Sequence, residues 1–191
     1  MVIRMSTIQN IKDFADANPR EDLLIPMIEG GEFHLVVMGK GNTARDFKML
    51  WDIVKIYCLC YDGNIKVHFA EGIAPVEGLQ KMVRLHKLED KVDFLGELDS
   101  QTQLSYYLGS HLALVLGEFG EDEADLLKAR YFCLPVVRVG GSEETGMQEG
   151  TLQLAEDSME AAASLWVLKN NHSYRKQLGK DSRREFEHIV R

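Results

Sequence analysis

The chain has little of what marks several protein classes. Only three cysteines occur, Cys58, Cys60 and Cys133, each within an apolar run. An odd set of such thiols argues against a disulfide scaffold and points to a reducing interior. Cys58 and Cys60 have no His or Cys close by to complete a ligand set, so no metal site is expected. No dense Lys/Arg block is present, and 30 acidic against 22 basic residues leave a formal charge of −8. That balance argues against nucleic-acid or anionic-membrane binding. No apolar run is long enough to span a membrane and no signal peptide is visible, so the expected location is the cytoplasm, with membrane association only through a partner. Linkers, low-complexity tracts and internal repeats are missing too. The six histidines show no paired spacing, and no Ser-His-Asp arrangement argues for hydrolysis. What remains is a 191-residue chain, 45% hydrophobic, which suits one sizeable domain with a real core.

The stretch Phe33–Trp51, FHLVVMGKGNTARDFKMLW, carries most information. An apolar run reads as a buried parallel strand. The chain then turns at Gly39 and Gly41, offers Asn42 and Thr43 as helix N-caps, and enters a helical pattern. A strand, glycine turn and helix aim backbone N–H groups and a helix N-terminus at one spot, an arrangement suited to phosphate. Lys40 and Arg45 flank that spot. A lone glycine-rich turn is a weak motif, and the same residues also read as an ordinary turn with two solvated cations.

Along the chain, Thr7–Phe14 reads as a short helix broken at Asn18-Pro19. Asp46–Tyr61 is a helix by its three- and four-residue apolar spacing, and Ile65–Ala70 a strand. Val76–Leu88 is helical, Val92–Leu95 a short strand closed by Gly96, and Ser100–Leu108 a helix capped by Ser100. Leu112–Leu116 is the best central strand. An acidic loop, a helix near Ala124–Phe132 and a strand Leu134–Val139 follow, with Pro135 early enough to be tolerated. Thr151–Leu154 is a short strand, and Ser158–Asn170 and Tyr174–Ile189 are closing helices. His34 and His68 read as core or sheet-face residues, and His111 precedes the central strand. The alternation predicts an α/β fold: a single Rossmann-like, doubly wound parallel sheet with helices on both faces. Ligands in such sheets bind beyond the carboxyl ends of the strands. The candidate loops are Gly39–Arg45, Gly72–Pro75, Gly96–Ser100, Gly117–Glu123 and Gly140–Glu144. Residues 1–32 are expected to be an N-terminal extension or linker, and 33–191 the domain.

An ordered set of motifs now stands out. Gly39-Lys40-Gly41-Asn42-Thr43-Ala44-Arg45-Asp46-Phe47 ends the first strand, Gly72 follows the second, and Val92-Asp93-Phe94-Leu95-Gly96 forms the third. Pro135-Val136-Val137 and Gly140-Gly141-Ser142-Glu143-Glu144 come later. In this order, from Phe33 onward, the chain resembles the C-terminal, donor-binding domain of retaining GT-B glycosyltransferases of the glycogen-synthase and sucrose-synthase type. The resemblance implies half of a GT-B fold, with a nucleotide-sugar as donor substrate and no further cofactor. It places Lys40 and Arg45 on the diphosphate, with the two cations exchanged relative to the family's Arg and Lys. The nucleotide-sugar loops would be those of Gly39, Gly41, Gly96, Gly117, Gly120 and Glu144.

One motif departs from the family. Its two glutamates, eight positions apart, fall without gaps on Gly120 and Lys128. Glu118, Glu121, Asp122, Glu123 and Asp125 crowd the same loop, and Glu121 and Glu123 are the candidate catalytic carboxylates. The same acids also suit a helix N-terminus. The expected function is therefore the donor-binding domain of a glycosyltransferase (a hexosyltransferase domain, incomplete alone), needing a second, N-terminal acceptor domain or partner subunit. The alternative is a catalytically degenerate GT-B-like module used for binding or assembly.

Overall fold

In the computed structural model, residues 5–17, 31–38, 44–69, 76–116, 124–140 and 152–189 are described. The elements are α1 (Met5–Ala17), β1 (Phe33–Met38), α2 (Ala44–Cys60), β2 (Ile65–Phe69), α3 (Val76–Leu85), β3 (Val92–Phe94) and α4 (Ser100–Gly109). They continue with β4 (Leu112–Leu116), α5 (Ala124–Tyr131), β5 (Val136–Val139), β6 (Leu152–Ala155), α6 (Ser158–Asn170) and α7 (His172–Ile189). The six strands form one sheet in the order β3-β2-β1-β4-β5-β6, parallel at every pairing. This is the doubly wound arrangement the alternation predicts, with the order reversing between β1 and β4.

Strand residues alternate between two cores because successive side chains point to opposite faces. Phe33, Leu35 and Val37 of β1 join Leu50, Ile53 and Tyr57 of α2 and Ala161, Leu165 and Leu168 of α6. Val36 instead joins Ala113, Val115 and Val136 on the other face, beneath α1, α4 and α5. Burial on both faces explains why β4 reads as an unbroken apolar run and β1 as one interrupted only by His34. Helix α1 lies within the span expected as an extension. It packs Ile8, Ile11 and Phe14 into the second core, with Phe14 edge-on to Phe132.

The elements depart from the sequence reading mainly at their ends. The cap of α4 is Asp99, not Ser100: its Oδ1 accepts from the Gln101 and Thr102 amides at 3.0 and 2.9 Å. Two helices stop early for one shared reason. In α3, Leu88 N donates to Val83 O and Lys87 N to Arg84 O, with Lys87 at φ 57°. In α5, Leu134 N donates to Ala129 O and Cys133 N to Arg130 O, with Cys133 at φ 54°. Both are Schellman turns whose left-handed residue is not the usual glycine. Strand β5 starts at Val136, after Pro135, whose carbonyl accepts from Ala113 N at 3.0 Å.

Candidate functional site

The carboxyl ends of β1, β2, β3 and β4 lie on one edge, where α2, α3, α4 and α5 begin. Backbone N–H groups that open each helix are left unpaired within it, so this edge presents donors and the positive ends of several dipoles. Most predicted site residues fall outside the described residues: Gly39, Lys40, Gly41, Gly117, Gly120, Glu121, Glu123 and Glu144. Arg45 occupies the first turn of α2, though its side chain lies outside the described residues as well.

Gly96 is described, beyond the end of β3. Its φ of 68° favours glycine, and a Cβ placed there would meet nothing within 4 Å. The backbone at this loop is thus open to an approaching group. Asp99 follows three residues later, and hydrogen bonds from Thr102, side chain first and backbone second, lower its pKa.

The position that aligns with the family's second glutamate holds a cation already engaged. Lys128 Nζ, on α5, lies 2.8 Å from Asp125 Oδ1 and donates to Gln103 Oε1 of α4 at 2.6 Å. It also sits 5.6 Å over the Tyr107 ring. The Lys128 and Asp125 side chains are only 12% and 13% exposed. Asp125 therefore balances Lys128, and the pair with Gln103 ties α4 to α5.

The structure also gathers residues that the sequence left scattered. His34 of β1 and His68 of β2 stack at 5.2 Å, with His34 Nδ1 2.9 Å from His68 Nε2. His68 Nδ1 stands 3.1 Å from Asp93 Oδ2 of β3, and Lys66 Nζ lies 2.9 Å from Asp93 Oδ1. The His34 amide donates to His111 Nδ1, just before β4, at 2.9 Å. Burial first, and His34 second, lower the His68 pKa, with Asp93 opposing. Burial, then His34 and Arg175, push His111 down to about 4. These rings lie on two adjacent strands and just before a third, so no spacing along the chain links them. Strand parity was the available signal: His34, His68 and Asp93 fall on the face opposite Phe33, Val67 and Val92. Among the described residues, no group of three or more His, Cys, Asp or Glu is arranged to hold a metal ion, and no helix is long and apolar enough to cross a membrane.

No protein-family profile matches the sequence, and no curated protein matches it. Solved structures do match in fold. A sucrose-phosphate synthase from Thermosynechococcus elongatus superimposes with a TM-score of 0.66 at 19% identity, over 91% of this chain and 44% of its own. HepE from Anabaena, in complex with UDP and glucose, gives 0.66 at 13% identity, over 94% of this chain and 48% of its own. The C-terminal domain of a group 1 glycosyl transferase from Francisella tularensis gives 0.64 at 16% identity, over 83% of this chain and 86% of its own. The chain thus has a Rossmann-like α/β fold, that of one half of a GT-B glycosyltransferase. It spans less than half the length of the first two of these proteins.

Proposed function

We propose that this chain binds a nucleotide-sugar at the carboxyl edge of its sheet, as the donor half of a cytoplasmic glycosyltransferase whose acceptor site lies on a second domain or subunit. The reading is carried by one observation: a fold shared over 94% of the chain with a protein crystallised with UDP and glucose. In this reading the glycine turn of Gly39 and Gly41 and the start of α2 meet the diphosphate. Lys40 and Arg45 supply the positive charge that offsets a departing diphosphate without a metal. The open loop at Gly96 takes the base, the loop containing Gly117 and Gly120 approaches the sugar, and Glu121, Glu123 and Glu144 are its candidate carboxylates. Transfer needs the acceptor held against the donor, so the isolated domain should turn nothing over.

Calorimetry with UDP, GDP and ADP and their sugar conjugates tests the reading. Binding that disappears in Lys40→Ala plus Arg45→Ala is expected. No heat with any of these ligands at millimolar concentration would overturn it.

A second reading is favoured by Lys128. A cation bound to Asp125 and Gln103 where the resemblance calls for a glutamate fits a module that binds without transferring sugar. Nucleotide binding with no transfer after joining to a native acceptor domain would select this second reading.

A further inference from the structure

A cluster of titratable groups that the proposed function leaves unused sits against the start of β1 and β4. His34 and His111 are bonded to each other in both directions: the His34 amide donates to His111 Nδ1 at 2.9 Å, and the His111 amide donates to His34 O at 2.9 Å. The first bond leaves His111 Nδ1 without a proton, so its ring proton is on Nε2, which is buried. At His68 an Asp93 carboxylate oxygen stands 3.1 Å from Nδ1, without hydrogen-bond alignment, and its charge favours the ring proton on that side. His68 Nε2 is then an acceptor, and His34 Nδ1–H donates to it across 2.9 Å. With these partners, one tautomer is assigned to each ring from its contacts.

Adding protons to this arrangement has unequal consequences. A proton added at His68 Nε2 or at His111 Nδ1 displaces a hydrogen bond which that atom accepts. On His68 it sets an N–H against the N–H of His34. On His111 it sets an N–H against the His34 amide and removes the bond that ties β1 to the residue before β4.

We infer that His34, His68 and His111 form a pH-sensitive catch, which holds the starts of β1 and β4 together until His68 or His111 is protonated and then releases them. Other groups face the cluster among the described residues. Lys66 of β2 and Asp93 of β3 form an ion pair beside His68. The Tyr106 ring of α4 lies 5.3 Å from His68. Arg175 of α7, 5.5 Å over Phe33, adds a positive charge that disfavours a proton on His111. Asp93 is the one acid among them; it stands beside His68 and Lys66, and none of the charges that shift His111 among the described residues is a carboxylate.

The direction of the pH effect follows. Both buried rings bind a proton less readily in the closed structure than a free histidine does. The opened form therefore takes up more protons on acidification. The catch is fully held above the ordinary histidine value of 6.5 and weakens as pH falls toward about 4.

Amide hydrogen exchange on the whole chain tests this. The His34 and His111 amides are compared with those of Val137 and Val139 at about pH 7.5 and about pH 5, each corrected for intrinsic rate. The expected result is a selective loss of protection at His34 and His111 by at least about tenfold. Protection that falls equally at both sites, or at neither, overturns the proposal. In His111→Asn, Oδ1 replaces Nδ1 as an acceptor that does not titrate, and the selective loss should shrink. An unchanged selective loss in that variant also overturns it. Where the variant does not fold, nitrogen-15 titration of the wild-type rings decides. His68 and His111 should both titrate below the ordinary histidine value of 6.5, whereas titration of both at that value refutes the catch.

Discussion

Replacing Gly179 with alanine separates helix propensity from close packing. Gly179 is buried within α7, and a Cβ there would lie 2.1 Å from the carbonyl oxygen of Cys133 and 3.0 Å from its carbon. Heavy atoms in contact settle at roughly 3.5 Å, so α7 or the turn must retreat by about 1 Å. Neither partner has a rotamer to change, because the clash is between a Cβ and backbone. Cys133 is also held: it is the left-handed residue of the turn that ends α5, bonded through Cys133 N to Arg130 O and through Leu134 N to Ala129 O. Moving α7 instead would disturb buried Leu178 and Phe186 and the 2.9 Å ion pair between Arg130 and Glu185. Alanine gains about 1 kcal/mol over glycine as a helix former. Overpacking costs roughly 1–3 kcal/mol, and a clash that no rotamer relieves belongs at or above the top of that range. The expected net loss is about 2 kcal/mol, which for a domain of this size lowers Tm by roughly 4–8 °C. Urea and thermal unfolding of Gly179→Ala measure it. A variant as stable as the wild type would refute the reasoning, since propensity would then outweigh contact.

Two further outcomes follow from buried charge. Lys128→Met should cost about 2–3 kcal/mol in urea unfolding, because it leaves the Asp125 carboxylate, 13% exposed, without its ammonium; a loss under about 1 kcal/mol would show that water serves Asp125 equally well. Acidification should destabilise the chain through His111: a fall from 6.5 to about 4 corresponds to at most roughly 3 kcal/mol, present above pH 6.5 and lost as pH falls toward 4. Urea midpoints measured across that window check it, and a flat profile would refute it.

The sheet was readable because its strands obey simple rules. Leu112–Leu116 is buried at all five positions and reads as an unbroken apolar run. The helices were located by their periodicity, and Ser158–Asn170 matches residue for residue. Helix ends were less legible, because the residues that reverse the chain after α3 and α5 are Lys87 and Cys133. Neither has the αL preference of glycine, so tertiary packing must hold them there. Asp99 and Ser100 are both good caps, and only the backbone geometry decides between them. The histidine cluster was hidden for a different reason: its members are neighbours through strand pairing, which spacing along one strand does not encode. At the candidate site, the glycine turn and Lys40 lie outside the described residues, as does the Arg45 side chain. The partners of Lys128 were not legible, since Gln103 lies on another helix.

In the proposed reading, Lys128 stands where the resemblance calls for a glutamate, which would offer a carboxylate to sugar hydroxyls. Lys128 does not simply add positive charge there, because Asp125 lies 2.8 Å away and offsets most of it. In the proposed reading, the field that draws a diphosphate is therefore set on the β1 side, by Lys40, Arg45 and the start of α2. On the β4 side, Lys128 instead braces α4 against α5, the two helices that begin after Gly96 and after the Gly117–Glu123 loop. A brace of this kind fixes the walls of a cleft without touching its contents. In that reading, diphosphate recognition and sugar chemistry rest on different residues, and the first can persist after the second is rebuilt or lost. That separation makes nucleotide binding the decisive measurement for the fold's use, and transfer in the presence of an acceptor domain the decisive one for catalysis.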